Sequence, residues 1–470
     1  MRIVFAASEV APFSKTGGLA DVAAALPEAL ARRGHEVMVI TPLYGSIDRA
    51  RHGIWPTPVR VFDMPVHERV LESGVRVIFL EHGGFFDRPG FYGYGSGAYP
   101  DNAARFAFFS RRLLPVADAL GFGPVDVLHL NDWQTGIAAL ELARQRGLRP
   151  GFTRSVFTIH NMGYQGIFDK RVVDELGLGW DAFTPQGIEF YDQVNFLKTG
   201  IAFADWITTV SPTYAQEIQT PAHGFGLDAF VRSRADRLVG ILNGVDYGEW
   251  NPETDRHLPA RYGPDDLSGK AICRERLCEE LGIEQRPGSM LVGVVSRLAG
   301  QKGIHLLLDA IPALMERNVE LAVLGSGERH YVEGLEGAKR YHQKRIGLYL
   351  GYDNGLAHRI EAGADAFLMP SIYEPCGLNQ MYSLKYGTVP IVRSTGGLVD
   401  TVVDATVPDR FGTGFRFDDP HPGALIDAVD RALRAFAHQQ RWREIQRWGM
   451  AQDFSWEAAA ARYEEVYRAG

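Results

Sequence analysis

The chain has 470 residues, 46% of them hydrophobic and 23% charged. That is ordinary for a globular protein but too long for a single hydrophobic core, so two domains are expected. Its 49 basic and 57 acidic residues leave a formal net charge of −8, which argues against a general nucleic-acid binder. No apolar run reaches membrane-spanning length, and the start, MRIVFAASEV, lacks the basic segment and long apolar core of a secretion signal. Three cysteines in no paired spacing suggest neither a disulfide framework nor a zinc site, so a reducing cytoplasm is the expected compartment.

In chain order, Arg2–Ala7 is a compact apolar run of the kind that forms a central parallel strand. It leads into Lys15-Thr16-Gly17-Gly18-Leu19-Ala20-Asp21, then an Ala/Leu-rich helix to Arg33 and a second strand, Val37–Ile40. A strand, a glycine loop and a helix N-terminus make a place for an anion. The helix offers unpaired N–H groups, the glycines remove Cβ atoms, and Lys15 adds a charge. The spacing is neither GxGxxG nor a P-loop, and a turn with a surface lysine is the plain alternative. Further strands are expected at Arg60–Val66 and Val75–Leu80, a Gly/Tyr/Phe-rich loop at residues 83–99, and a helix at Asp101–Leu120.

The runs Val125–Leu130 and Ser155–Ile159 end in Asn131-Asp132-Trp133 and His160-Asn161. In open parallel sheets ligands sit beyond the carboxyl ends of strands, which is where Asp132 and His160 fall. Each also has a structural reading, Asp132 as a helix cap and His160 as a packed histidine. Trp133 reads as packing. Trp206–Val210 and Leu238–Leu242 complete a first α/β series, ending near Asn243-Gly244-Val245-Asp246.

Residues 246–288 are rich in Pro, Asp, Glu and Arg and are expected to contain a linker and then a helix. A second series follows, with strands at Met290–Val295, Glu320–Leu324, Arg345–Leu350, Ala366–Met369 and Val389–Val392, each ending in a Gly or polar turn. Arg297 and Lys302 stand at either end of the first turn. A bidentate guanidinium and an ammonium there suit a diphosphate without a metal, and a solvated pair of surface cations is the plain alternative. Glu374 sits between Tyr373 and Pro375-Cys376-Gly377-Leu378. Its carboxylate can accept hydrogen bonds from sugar hydroxyls or simply balance a helix dipole. Cys376 reads as a small packed residue. Thr395-Gly396-Gly397 repeats the logic of the opening loop. Asp21 and Asp400 fall early in helices, where capping is the default. No Asp-x-Asp metal motif is convincing, and no cofactor is expected. The last helix, from Trp456, presents Trp456, Tyr463, Val466 and Tyr467 as a packing face.

Taken in order, KTGGLAD (15–21), HLNDW (129–133), His160-Asn161, NGVD (243–246), SRLAGQKG (296–303), EPCGL (374–378) and STGGL (394–398) resemble the bacterial glycogen synthases and plant starch synthases, retaining glucosyltransferases. The resemblance runs nearly end to end. Ala299 departs from the Thr the family often has there, and Asn379 and Ser383 are local variations; none touches the charge pattern.

The resemblance implies a GT-B fold, an α/β architecture of two Rossmann-like domains facing a cleft. Residues 1–245 would lie on the acceptor side and 246–455 on the donor side, with 456–470 packing back on the first domain. It implies ADP-glucose as donor, glycogen or another α-1,4-glucan as acceptor, and neither nucleic acid nor membrane as partner. Carried over by position, Lys15 and Gly18 would contact the donor, and Arg297 and Lys302 would hold its diphosphate. Glu374 with the backbone at Cys376-Gly377 would bind glucose hydroxyls, while Asp132, His160 and Asn161 would line the glucose pocket. Tyr352 would pack near the adenine. Asp21, Asn243, Leu378 and Thr395 join the substrate-binding set, with Glu374, His160 and Asp132 as the catalytic candidates. A front-face reaction and a covalent glucosyl-enzyme both remain open. The alternative from another class is a catalytically silent sugar-nucleotide or glucan binder on the same fold. A dehydrogenase is disfavoured because neither half opens with GxGxxG.

Overall fold

The structure, a computed structural model, describes residues 1–61, 63–95, 97–146, 152–407 and 411–469. The chain forms two compact units. Unit 1 comprises Met1–Gly244 with Trp456–Gly470, of which Gly470 lies outside the described residues, and unit 2 comprises Val245–Ser455.

Unit 1 is built on a nine-stranded sheet. Its spatial order is Leu238–Gly240, Trp206–Thr209, Arg154–Ile159, Val127–Asn131, Arg2–Ala6, Glu36–Pro42, Arg76–Leu80, Met64–Val70 and Trp55–Val61. Neighbours are parallel as far as Arg76–Leu80, and the last two strands add an antiparallel hairpin at the edge. Ile3, Val4, Phe5 and Ala6 are fully buried, as a central strand covered on both faces requires. The single strand expected at Arg60–Val66 is instead the turn region of that hairpin. Asp63 takes a left-handed φ of 61°, and Phe62 lies outside the described residues. The outer strand carries Pro56 and Pro58, and proline is tolerated at a sheet edge.

The helix Trp456–Arg468 packs on the helix Gly18–Arg32 of unit 1. Tyr463 and Tyr467 are buried, and Tyr467 Oη lies 2.6 Å from His129 Nδ1. Glu464 accepts hydrogen bonds from Arg33 Nε (2.7 Å) and His35 Nε2 (3.0 Å), and Arg468 adds an ion pair at 3.3 Å. His129, quoted above as part of a motif, is thus a core residue: its Nε2 lies 2.6 Å from Thr158 Oγ1, and burial pushes it down to about 3, so it is neutral.

Unit 2 is a six-stranded, wholly parallel sheet in the order Ile346–Leu350, Val319–Gly327, Met290–Leu298, Ala366–Met369, Val389–Arg393 and Phe415–Phe417. The last strand is one more than expected. Period-two alternation sends Met290, Val292 and Val294 into one apolar layer and Leu291 into the other, so both faces are covered. Residues 246–267, expected to contain a linker, are instead a packed coat on this unit. Tyr262 is buried and donates to Tyr386 O (2.8 Å). Asp255 accepts from Tyr386 Oη (2.6 Å) and pairs with the buried His358 (2.7 Å), on which Trp250 stacks at 3.7 Å.

The hydrogen bond from Arg33, outweighing burial and aided by His35, holds Glu464 down to about 2. The contribution is complete above the unfolded carboxylate value of 4.5 and is lost as pH falls through 2. Glu464→Gln is therefore expected to destabilise unit 1 at pH 7 by up to roughly 3 kcal/mol. In thermal melts the gap between variant and parent should close steadily between pH 4.5 and pH 2.

Candidate functional site

In unit 1, Arg2–Ala6 and Val127–Asn131 lie side by side, but their crossovers leave in opposite directions: one strand feeds Glu36–Pro42, the other Arg154–Ile159. Loops that diverge at such a switch point leave a crevice at the strands' carboxyl ends. Asn131 bridges it. Its Nδ2 donates to Ala6 O (2.9 Å), and its Oδ1 accepts from His160 Nε2 (2.9 Å). Burial pushes His160 down to about 3. The imidazole is therefore neutral, with its proton on Nε2 and a lone pair on Nδ1.

Asp132 follows with a left-handed φ of 55°, unusual for a residue with a Cβ. Its carboxylate accepts the His160 N–H (2.8 Å) and the Asn161 N–H. Burial nevertheless drives it up to about 7 against those two bonds, with a smaller push from Glu9. A buried acid poised near neutrality is a mark of functional sites. Asn161 Oδ1 also accepts from Gly163 N (2.9 Å), fixing the next turn. Trp133 packs against Phe106 at 4.9 Å and belongs to the core.

The first loop is anchored by Glu9, which the sequence reading passed over. Its carboxylate accepts from Thr16 Oγ1 (2.6 Å), from Thr16 N and from Tyr92 Oη (2.5 Å). Tyr92 comes from the Gly/Tyr/Phe-rich segment, whose Ser96 lies outside the described residues. A glutamate just past the end of the central apolar run was the available signal. Lys15 pairs with Asp21 at 2.6 Å, so these two candidates are neighbours. Gly17 and Gly18 open the 15-residue helix, and no side chain caps it. A Cβ on either would meet nothing within 4 Å. Neither has a positive φ, so the folded unit itself does not call for glycine there. Asn243 is set apart, beyond the outer strand Leu238–Gly240; its buried Oδ1 has no partner among the described residues.

In unit 2 the switch point falls between Met290–Leu298 and Ala366–Met369. Lys302 follows the first strand and Glu374 the second, and they meet at 2.6 Å. Ser371 Oγ donates to the same Glu374 oxygen (3.0 Å). Glycines hold this segment on both sides. Gly303 has φ 67°, and a Cβ there would lie 1.9 Å from Pro370 O. Gly396 and Gly397 approach Glu374 O and Cys376 O as closely, at 2.0 and 2.1 Å from their would-be Cβ atoms. Arg393, also missed in the sequence, donates from Nε to Ser371 O (2.8 Å) and from Nη2 to Ile372 O.

Cys376 and Thr395 are buried in this packing. Gln380 Nε2 donates to Cys376 O (2.9 Å) and Gly377 O (3.2 Å), and Leu378 directly precedes the helix Asn379–Lys385. Arg297 is exposed near the end of its strand, five residues before Lys302, whose charge is already met by Glu374. Tyr352 lies beyond the outer strand Ile346–Leu350 and is 80% exposed. No three His, Cys, Asp or Glu side chains among the described residues are grouped to hold a metal ion.

An acid whose folded value is raised is worst tolerated when ionised. Asp132 therefore lowers stability progressively as pH climbs from its unfolded value of 3.8 through about 7. Asp132→Asn keeps the shape and is expected to be stabilising above pH 7, by at most roughly 4 kcal/mol. The gain should vanish by pH 4. Melting curves at pH 4, 6 and 8 check this; equal shifts at all three would contradict it.

Known families match both units. The starch synthase catalytic domain matches residues 2–233, and the glycosyl transferases group 1 domain matches 282–447. The chain is 53% identical over 473 residues to the glycogen synthase of Anaeromyxobacter dehalogenans (strain 2CP-C), covering 100% of this chain and 99% of that one. It is 51% identical to the glycogen synthase of Myxococcus xanthus (strain DK1622), covering 99% of each. Among solved structures it is similar to the catalytic domain of starch synthase IV from Arabidopsis thaliana bound to ADP and acarbose. That match has a TM-score of 0.89 and 36% identity, and covers 99% of this chain and 98% of that one. With two parallel-sheet units, each carrying polar loops at its switch point, the chain belongs to the glycogen and starch synthase family of glycosyltransferases with the GT-B fold.

Proposed function

We propose that this enzyme transfers glucose from ADP-glucose to the non-reducing 4-hydroxyl of glycogen or another α-1,4-glucan, with retention of anomeric configuration. The observation that carries the reading is the full-length identity to glycogen synthases, joined to the Lys302–Glu374 pair at the unit 2 switch point.

In this reading Arg297 and Lys302 take the diphosphate. Lys302 already shares its charge with Glu374, so Arg297 supplies the excess positive charge as the ADP leaving group develops its own negative charge. Glu374 accepts hydrogen bonds from glucose hydroxyls, and the peptide N–H groups around Cys376-Gly377 add donors. Lys15 and the open-faced Gly17-Gly18 turn offer the donor an anion-binding loop. Asp132 and His160 line the glucose pocket with Asn161. The neutral His160 accepts a hydroxyl at Nδ1, and the weakly acidic Asp132 can exchange a proton near pH 7.

Retention follows from front-face attack, with the leaving phosphate accepting the acceptor's proton. Glu374 is a poor covalent nucleophile because Lys302 and Ser371 already engage its carboxylate. Asp21, Asn243, Leu378 and Thr395 support the binding loops, and Tyr352 offers a face to the adenine. Among the described residues no helix is long and apolar enough to cross a membrane; we place the enzyme in the cytoplasm.

Incorporation of radiolabelled glucose into glycogen from ADP-glucose and from UDP-glucose tests the reading. Wild type should use ADP-glucose. Glu374→Ala and Lys302→Ala should each reduce incorporation by about 10²–10³-fold, as expected for loss of a preorganised charged contact to the reacting group. Incorporation from UDP-glucose alone would overturn the donor. A folded wild-type chain that binds nucleotide but transfers from neither would make it a silent binder.

A further inference from the structure

The loop that begins at His160-Asn161 runs on from the unit 1 crevice to an exposed aromatic patch. Gln165, buried, ties the two together. Its Nε2 donates to Met162 O (3.2 Å) and Phe225 O (3.1 Å), and its Oε1 accepts from Asn195 Nδ2 (2.7 Å). Asn195 ends the middle strand of a small antiparallel sheet, in which Gln193–Asn195 lies between Ile167–Asp169 and Glu189–Phe190. Three aromatic residues on these segments are exposed: Tyr164 by 56%, Tyr191 by 77% and Phe225 by 44%. The Phe190 ring packs edge-on against Tyr191, 4.7 Å between centroids. Gly226, next to Phe225, lies against both; a Cβ there would be 3.1 Å from the Phe190 ring and 3.7 Å from that of Tyr191.

Folding alone does not account for Tyr191 and Phe225. Tyr191 and Asp192 form a two-residue hairpin turn with φ of 49° and 62°, and Phe225 has φ 48°. Such positions favour Gly or Asn, and a bulky residue is disfavoured there. The turn is fixed by other groups: Asp192 N–H donates to Glu189 Oε1 (2.8 Å), and Lys170 Nζ donates to Asp192 Oδ2 (2.7 Å). Glycine at 191 would satisfy the backbone better and expose less apolar surface. Strained, exposed aromatic residues held by a determined framework point to a ligand.

The chemistry of that ligand follows from the patch. Lys170 pairs with Asp192 and Arg171 with Asp169, and the Glu189 carboxylate is taken up by the Asp192 N–H, so among the described residues of the patch no cation is left over for an anionic partner and the rings suit a neutral one. Flat aromatic faces bordered by polar groups suit pyranose rings. We propose that Tyr191, with Tyr164 and Phe225, is a stacking platform for the acceptor glucan, engaging sugar units remote from the one that reacts. This rests on the glucosyl-transfer reading above, and its occupant is the neutral α-1,4-glucan chain.

Tyr191→Gly tests it, because relief of the turn and loss of the ring act in opposite directions. Mobility in native gels containing glycogen, without donor, should show wild type retarded and Tyr191→Gly bound about 5–10-fold more weakly. Its melting temperature should be unchanged or raised. The double variant Tyr191→Gly/Phe225→Gly should be weaker still, and Tyr191→Trp should retain binding. In turnover the KM for glycogen should rise by a similar factor, with kcat, the KM for ADP-glucose and the rate on maltose unchanged. Retardation equal to wild type in a folded Tyr191→Gly, or an equal loss on maltose and glycogen, would overturn the platform. So would a wild-type dimer that Tyr191→Gly dissolves while glycogen retardation persists. A wild type that is retarded by glycogen through Tyr191 but transfers no glucose would support the platform and overturn the reaction.

Discussion

A parallel strand must return to its starting edge before the next one can pair, and the direction of that return is the constraint on which everything else here depends. At Arg2–Ala6 and Val127–Asn131 in unit 1, and at Met290–Leu298 and Ala366–Met369 in unit 2, neighbouring strands send their chains opposite ways. Each divergence leaves backbone polar groups and strand-end side chains with no covering crossover. The groups gathered there follow from this geometry: Glu9, Asp132 and His160 at one switch point, Lys302 and Glu374 at the other.

The two switch points hold their carboxyls differently. Glu374 is met by a cation and a hydroxyl at short range, and its segment is gripped by turns whose glycines permit contacts no Cβ would allow. Among the described residues no cation pairs with Asp132; two peptide N–H groups and a strained backbone keep it in place, and burial leaves its proton loosely decided near neutrality. A carboxyl held by a cation and a hydroxyl suits binding, and one of adjustable charge suits proton exchange.

Much of this was legible in the sequence because central parallel strands are unbroken apolar runs and their ends are abrupt. Arg2–Ala6, Val127–Asn131 and Ala366–Met369 stand out for that reason, and so do the polar residues directly after them. What was not legible depends on side chains far apart in sequence. Glu9 anchoring Thr16 and Tyr92 needs a reach of 83 residues to the latter. Arg393 reaching the carbonyls of 371 and 372 leaves no pattern in composition. The edge hairpin was misread because Pro56 and Pro58 mask a strand, and Phe415–Phe417 is too short to show a period. Residues 246–267 look like a linker because loops and linkers share a composition; only Tyr262, Trp250 and Asp255 packed against Tyr386 and His358 reveal a coat.

The helix Trp456–Arg468 belongs to unit 1, yet all of unit 2 precedes it in the chain. On the ribosome, the strands of unit 1 emerge long before Tyr467 and Glu464 can reach His129, Arg33 and His35. Until then the first unit lacks the apolar cover over its oldest helix and a counter-charge for its basic edge. Unit 2, a continuous stretch of chain, has no such wait and can close as soon as it is made. The order of synthesis and the order of completion are therefore reversed: the first half of the protein to be made is the last to be finished.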